Sequence, residues 1–258
     1  MLNSKKIVVV GNGMVGHHFV EQLVQQNDDK SLDITVLSAE SRLAYDRVHL
    51  SAYFSGKSAD DLAMTTLHEY QQWGIKCHTG ARVNKIDKHA RRVGTTSGEC
   101  FEYDILILAT GSYPFVPPIE GNGQPHCLVY RTIDDLEAIQ ASAEQSEVGV
   151  VIGGGLLGLE AANAIKNLGL ETHAVEFAPQ LMAVQVDAGG GRLLKDKIEA
   201  LGVQVHTNKA TSSITSGSRC RYQLNFSDGS VLETDLILFS AGIRPADQLA
   251  REFDLSIG

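Results

Sequence analysis

Ile7-Val8-Val9-Val10-Gly11-Asn12-Gly13-Met14-Val15-Gly16 begins as a β-branched run and breaks abruptly into glycine. An uninterrupted apolar run of this kind reads as a strand buried on both faces, as in a parallel sheet. Val15, Phe19, Val20, Leu23 and Val24 then recur at helical spacing as far as Gln26, and Asp33 to Leu37 supplies the next strand. Strand, glycine loop, helix and strand within about thirty residues make a βαβ unit.

The same order recurs downstream. Val148 to Ile152 enters Gly153-Gly154-Gly155-Leu156-Leu157-Gly158, a helix carries Leu157, Ala161, Ile165 and Leu168 to a stop at Gly169, and Thr172 to Glu176 closes the unit. The repetition extends past the glycines. Gly74-Ile75-Lys76-Cys77-His78-Thr79 resembles Gly202-Val203-Gln204-Val205-His206-Thr207 at an offset of 128 residues. Asp104 to Leu108, ending at Gly111, resembles Asp235 to Phe239, ending at Gly242, at an offset of 131, and the glycine loops lie 142 apart. Three matches in one order mean two copies of a single nucleotide-fold unit. In each copy a turn-rich hairpin segment, Thr95 to Glu99 or Ser227 to Ser230, precedes a strand predicted to be buried.

Pro114, Pro117, Pro118 and Pro125 crowd the join between copies, which excludes a regular helix or a central strand there. The predicted division is therefore residues 1–118, 119–241 and a remainder, 242–258, with a helix over Asp134 to Ser146 opening the second domain.

A strand that feeds a GxGxxG loop and then a helix brings free backbone N–H groups and the positive helix end to one point. The first glycine permits the tight turn, the second lets a pyrophosphate approach, and the third lets helix and strand pack closely. Glu176 ends its strand 18 residues after Gly158, where a carboxylate can accept ribose hydroxyls and repel a 2′-phosphate. No Lys or Arg lies between Phe177 and Met182, so NADH is predicted over NADPH. In the first copy Glu40 is the nearest acid past the strand, competing with a reading as a solvated loop carboxylate. Ala109-Thr110-Gly111 and Ala241-Gly242 are small-residue turns at strand ends, where a ligand can approach backbone. Two dinucleotide sites on one chain are explained most economically by hydride transfer between bound cofactors, with a flavin in the first.

Composition bounds the alternatives. At about 150 residues per domain, 258 residues allow one large or two modest domains with a real core. With 22 Lys plus Arg against 31 Asp plus Glu, the net charge of −9 argues against a nucleic-acid binder. Cys77, Cys100, Cys127 and Cys220 form no CxxC pair or zinc spacing, which removes dithiol and iron–sulfur readings for this stretch and favours a reducing compartment. Met1 to Lys6 leads into an apolar run too short for a signal peptide or membrane span, so a soluble, cytoplasmic protein is expected, with no metal site. His17 and His18, beside the glycine loop, read as helix-surface residues, and Tyr70, Trp73 and Met64 as packing under a loop.

These motifs resemble the two-dinucleotide-binding flavoproteins related to glutathione reductase, over nearly the whole chain. The resemblance implies an α/β protein with two Rossmann-like, FAD/NAD(P)-binding units, the second inserted after the first, and parallel sheets with β-hairpin excursions. It implies FAD held by Gly11, Gly13, Met14 and Gly16, with Glu40 at the ribose, Val83 at the adenine through backbone, and Ala109, Thr110 and Gly111 beside the flavin. It implies NADH held by Gly153, Gly155, Leu156, Gly158 and Glu176, with Glu160 and Gly242 near the nicotinamide.

Leu43 to Ser51 (LAYDRVHLS), Tyr130-Arg131-Thr132 and Gly155 to Ala162 narrow the resemblance to large subunits of assimilatory NADH-dependent nitrite reductases. In other relatives a redox cysteine occupies the position of Val48, and its absence fits a one-electron exporter. Arg47 and Arg131 become candidate flavin contacts, against a reading as surface salt bridges. The resemblance implies a truncated piece: residues 1–118 would be the first part of the FAD-binding domain, 119–241 the NAD(H)-binding domain and 242–258 the start of the return segment to the FAD domain. Siroheme and iron–sulfur cluster would lie in a missing C-terminal part, and the partners would be downstream redox domains and a small subunit. No nucleic acid or membrane partner is expected. A stand-alone rubredoxin or ferredoxin reductase, and a non-catalytic NADH-sensing module, are the alternatives.

Overall fold

In the computed structural model, residues 4–27 and 31–257 are described, and they divide into two compact units. The first comprises residues 1–48, 58–112 and 245–258, and the second residues 49–57 and 113–244. This differs from the division read in the sequence: residues 49–57 join the second unit, and the first boundary falls at 112 instead of 118. The excursion at 49–57 is a 3₁₀ turn, Leu50–Ser55, which packs on the helix after the second glycine loop.

In the first unit a four-stranded parallel sheet runs in the order Lys76–His78, Leu32–Leu37, Lys5–Val10, Ile105–Leu108. Strand side chains alternate between faces, so one run feeds two cores. Ile7 and Val9 pack with Val20, Ile34, Val36 and Tyr70, while Val8 and Val10 pack with Leu37, Val83, Ile86 and Val93. Val9 is fully buried, and each such side chain contributes about 1.5–3 kcal/mol by leaving water. The central strand Lys5–Val10 has the next strand in sequence on one side and Ile105–Leu108 on the other, a topological switch point that opens a crevice at the strands' carboxyl ends.

The second unit repeats this plan with one more strand: Val203–His206, Glu171–Val175, Val148–Ile152, Leu236–Phe239, Cys127–Val129, all parallel. The extra strand explains a difference between the copies. Leu236–Phe239 is buried throughout, whereas Ile105–Leu108 closes its sheet and is half-exposed, so the expectation that both strands are buried holds for one of them. Each unit also carries a three-stranded antiparallel sheet, Val83–Asp87, Arg92–Thr95 and Cys100–Glu102 in the first, and Thr211–Ser216, Tyr222–Phe226 and Val231–Thr234 in the second. The helix read at Asp134 to Ser146 spans Ile133–Ala143, opened by a Thr132–Asp135 capping box. The proline-rich stretch contributes a short edge strand, Ser112–Pro114.

Candidate functional site

The first glycine loop lies where the central strand ends. Gly11 still donates its N–H to Leu37 O at 2.8 Å, then turns with φ of +111°, a conformation closed to most L residues. A Cβ on Gly11 would overlap the carbonyl of Ala109, and a Cβ on Gly16 would overlap the carbonyl of Gly11. Gly13 faces open space: the nearest atom to a Cβ there is Arg47 Nε, 4.0 Å away. The first and third glycines are thus required by the protein's own backbone, while the second keeps a surface clear.

Around this loop the predicted residues divide. Arg47 Nη2 donates to Glu40 Oε1, and Tyr45 Oη donates to Glu40 Oε2 at 2.7 Å, with the Arg47 guanidinium 4.6 Å from the Tyr45 ring centroid. Glu40 is therefore held by its own neighbours and is not a freely solvated loop carboxylate. Ala109 forms the floor under Gly11 and Gly16. Thr110 Oγ1 donates to Ala246 O at 2.6 Å, and Gly111 O accepts from Ala246 N at 2.9 Å, tying this turn to the last segment of the chain. Val83 is buried in the core. Arg131 falls in the second unit, where its backbone N–H donates to Asp135 Oδ2 at 3.1 Å.

The second loop reproduces the steric plan. Gly153 donates to Val175 O at 2.8 Å and has φ of +128°. A Cβ there would overlap the carbonyl of Ser240, and one on Gly158 would overlap the carbonyl of Gly153, while Gly155 has nothing within 4 Å. Ser240 thus does under this loop what Ala109 does under the first. Glu176 is pinned at the mouth: its Oε2 accepts from Gly154 N at 2.6 Å and its Oε1 from Ala178 N at 2.7 Å. Leu156 is 59% exposed at the first helical position, and Phe177 beside Glu176 is 77% exposed. Glu160, on the same helix, helps burial push the Tyr130 phenol upward, burial being the larger cause. Gly242 turns with φ of +105° and accepts from Phe115 N at 2.9 Å.

Helix starts set these two loops apart from three of the other four α-helices, the short Gln248–Glu252 near the end of the chain also being uncapped. The helices Leu67–Gln72, Ile133–Ala143 and Ala188–Ala200 begin with Thr66, Thr132 and Asp187, whose side chains accept first-turn amides. Met14–Gln25 and Leu156–Asn167 begin with Gly13 and Gly155, no side-chain cap and no acid in the first turn. Their first-turn amides and positive dipole ends are left for an anion.

The family model described as pyridine nucleotide-disulphide oxidoreductase matches residues 5–258. The chain belongs to this family. Among its curated relatives, the nitrite reductase [NAD(P)H] large subunit of Klebsiella oxytoca is 54% identical over 98% of the chain. The nitrite reductase (NADH) large subunit of Escherichia coli is 49% identical over 99% of it. The chain spans 26% and 30% of those relatives' lengths. Among solved structures, a ferredoxin reductase from Rhodopseudomonas palustris superimposes with a TM-score of 0.90 at 27% identity, covering 98% of this chain and 63% of that one. The α/β fold with paired parallel sheets is accordingly that of the family.

One group in the first unit escaped the sequence reading. His17 is 4% exposed and is not a helix-surface residue. Its Nδ1 lies 2.9 Å from Tyr70 Oη, Tyr70 Oη donates to Asn12 Oδ1 at 2.8 Å, and Asn12 Nδ2 donates to Cys77 Sγ at 3.7 Å. Burial lowers the His17 pKa and raises those of Tyr70 and Cys77, the thiol to about 11. No helix among the described residues is long and apolar enough to cross a membrane, and no group of three or more His, Cys, Asp or Glu among them is arranged to hold a metal ion.

Proposed function

We propose that this chain is the NADH-dependent electron-input module of an assimilatory nitrite reductase. The observation that carries the reading is the duplicated cradle: in both units the backbone itself forbids a Cβ at the first and third glycines, and the second glycine stays clear before an uncapped helix start. That arrangement fits a diphosphate bridge, whose charge is met by amides alone. The high identity to nitrite reductase large subunits supports the assignment of the chain.

In this reading Gly11, Gly13, Met14 and Gly16 hold the FAD diphosphate, Glu40 meets its ribose, Val83 its adenine through backbone, and Ala109, Thr110, Gly111 and Arg47 contact the flavin half. Gly153, Gly155, Leu156 and Gly158 hold the NADH diphosphate, with Glu160 and Gly242 near the nicotinamide. Glu176 is already positioned by Gly154 N and Ala178 N, so its remaining lone pairs accept ribose hydroxyls without reorganisation. The bound cofactors supply hydride donation from NADH and single-electron release from FAD. The chain's own residues bind and orient both. In the same reading siroheme, an iron–sulfur cluster, downstream redox domains and a small subunit would lie outside this chain, which spans 26% and 30% of those relatives' lengths. Four free cysteines support a reducing, cytoplasmic setting.

The structural match to a ferredoxin reductase favours one other reading, a stand-alone reductase with a separate protein acceptor. The test is spectroscopic: protein reconstituted with FAD should be yellow, and anaerobic NADH should bleach it. Protein that stays colourless after reconstitution, or a flavin that NADH does not reduce, refutes the proposal.

A further inference from the structure

The two copies differ where the first carries its buried polar network. The offset of 142 residues between glycine loops places Gly154 at the position of Asn12 and Leu159 at that of His17. The offset of 128 in the following segment places Ile198 at the position of Tyr70 and Val205 at that of Cys77. In the second unit Leu159, Ile198 and Val205 belong to one apolar cluster. An apolar set therefore fills this space beneath one loop, and a satisfied polar set fills it beneath the other.

Polar groups of this kind are a poor route to stability. Asn12 is 6% exposed, His17 4% and Tyr70 fully buried, so each donor and acceptor had to be stripped of water before it was paired. What a complete network supplies is orientation. The direction of the bonds is fixed by chemistry. Asn12 Oδ1 can only accept, so the Tyr70 hydroxyl spends its proton there and its oxygen must receive the proton on His17 Nδ1. Trp73 stacks on the His17 ring with centroids 6.2 Å apart, and holds its plane. The chain of bonds reaches the loop at Asn12, between Gly11 and Gly13, and runs on from Asn12 Nδ2 to Cys77 Sγ.

We propose that His17, Tyr70 and Asn12 form a strut that pre-sets the first glycine loop for tight, resident binding of FAD, whereas the second loop, set by Glu176 on Gly154 N, is built for a cofactor that exchanges. These are positioning residues acting through the loop backbone, and the inference rests on the assignment of FAD to the first unit. A loop held in its binding conformation loses less freedom when the ligand arrives, so the gain falls mainly on the release rate.

The experiment measures FAD dissociation by the return of flavin fluorescence after dilution of the reconstituted chain, with NAD⁺ binding measured in parallel by calorimetry. Tyr70→Phe keeps the ring and removes the hydroxyl. It should speed FAD release and weaken FAD binding about tenfold while leaving the NAD⁺ dissociation constant unchanged. Asn12→Ala should do the same, and the double variant should lose no more than Asn12→Ala alone, because the hydroxyl acts through that side chain. Additive losses, or FAD release at the wild-type rate in Tyr70→Phe, overturn the proposal. Should Tyr70→Phe not fold, His17→Asn replaces it. Its Nδ2 restores the donor at the imidazole Nδ1 position and should keep FAD, while His17→Leu should not, and equal release from the two overturns the proposal. Wild-type protein that takes up no FAD refutes the function proposed above, an outcome distinct from each of these.

Discussion

Replacing Glu176 by Gln tests how the second loop selects its cofactor. The carboxylate serves two backbone donors at once, Gly154 N at 2.6 Å and Ala178 N at 2.7 Å. A carboxamide has one acceptor oxygen, so it satisfies one of these amides and turns an N–H₂ group toward the other. Hydrogen bonds to a charged acceptor contribute about 1.5–3 kcal/mol and neutral ones about 0.5–1.5 kcal/mol. Losing one and weakening the other costs about 2 kcal/mol of loop organisation, or about thirtyfold in NADH affinity. NADPH should respond differently. Removing the negative charge lifts a repulsion of about 3–4 kcal/mol per charge pair at 4–5 Å before solvent screening reduces it, which offsets much of the same loss. The ratio of NADPH to NADH dissociation constants should therefore fall by about tenfold or more, and Glu176→Arg should move it further in the same direction. Calorimetric titration with each oxidised and reduced nucleotide reads both constants, and thermal unfolding monitors loop loss. An NADH constant within about twofold of wild type, with an unchanged ratio, would show that the carboxylate neither sets the loop nor reads the ribose.

Three further outcomes follow from the geometry. Gly16→Ala and Gly158→Ala each push a methyl into the carbonyl of the first glycine of its own loop, so each should destabilise its unit by about 2 kcal/mol or more and abolish one nucleotide, FAD or NADH respectively, in titrations of the same preparation. Loss of both nucleotides in either variant would contradict independent cradles. Burial holds the pKa of His17 and His173 below the ordinary histidine value, so below about pH 6.5 the unfolded chain binds protons that the fold does not. Stability should then fall as pH drops from 6.5 toward 5, by up to about 1.4 kcal/mol per pH unit for each histidine, and a urea midpoint that is flat over this range would refute it. Burial pushes the Cys77 and Cys127 thiols up to about 11, whereas Cys100 is exposed, so brief alkylation at pH 8 should label Cys100 first by mass spectrometry, with Cys77 and Cys127 labelled after unfolding.

The architecture was legible because parallel strands covered on both faces announce themselves as apolar runs, and because the chain states the pattern twice. Ile7 to Val10 and Val148 to Ile152 sit at the centres of their sheets, as such runs should. What failed to read were properties set by distant neighbours. Ile105–Leu108 has the composition of Leu236–Phe239, yet it lies at the end of its sheet and is half-exposed, since burial depends on how many strands follow. His17 falls on a helix whose periodicity shows an apolar face but not what packs against it, and its partner Tyr70 is 53 residues away. The offset between copies was the available signal, because it aligns His17 with the apolar Leu159. The movement of residues 49–57 into the second unit has no marker in composition.

Comparison of the copies separates what the fold demands from what each ligand demands. Gly11 and Gly153, Gly16 and Gly158, and the floors Ala109 and Ser240 agree because a carbonyl oxygen fills the place where a larger arrangement would need room. A duplicated loop has no freedom at those positions, so their agreement follows from its own backbone and says nothing about which anion it would hold. Freedom remains in what stabilises the loop between the glycines. The first copy holds Asn12 from within the core and ties Glu40 to Arg47 and Tyr45, which leaves that acid's chain segment, not its loop, organised by the carboxylate. The second copy holds Gly154 directly through Glu176, so the group proposed to read the ribose also sets the loop. In the proposed reading one carboxylate then serves both the loop and the ribose, so a change at the ribose is felt where the loop is held. A loop ordered from behind stays set whether or not ligand is present. In the proposed reading, selectivity with exchange and retention without exchange are opposite solutions of one geometry, and hydride transfer through a resident flavin would require one of each.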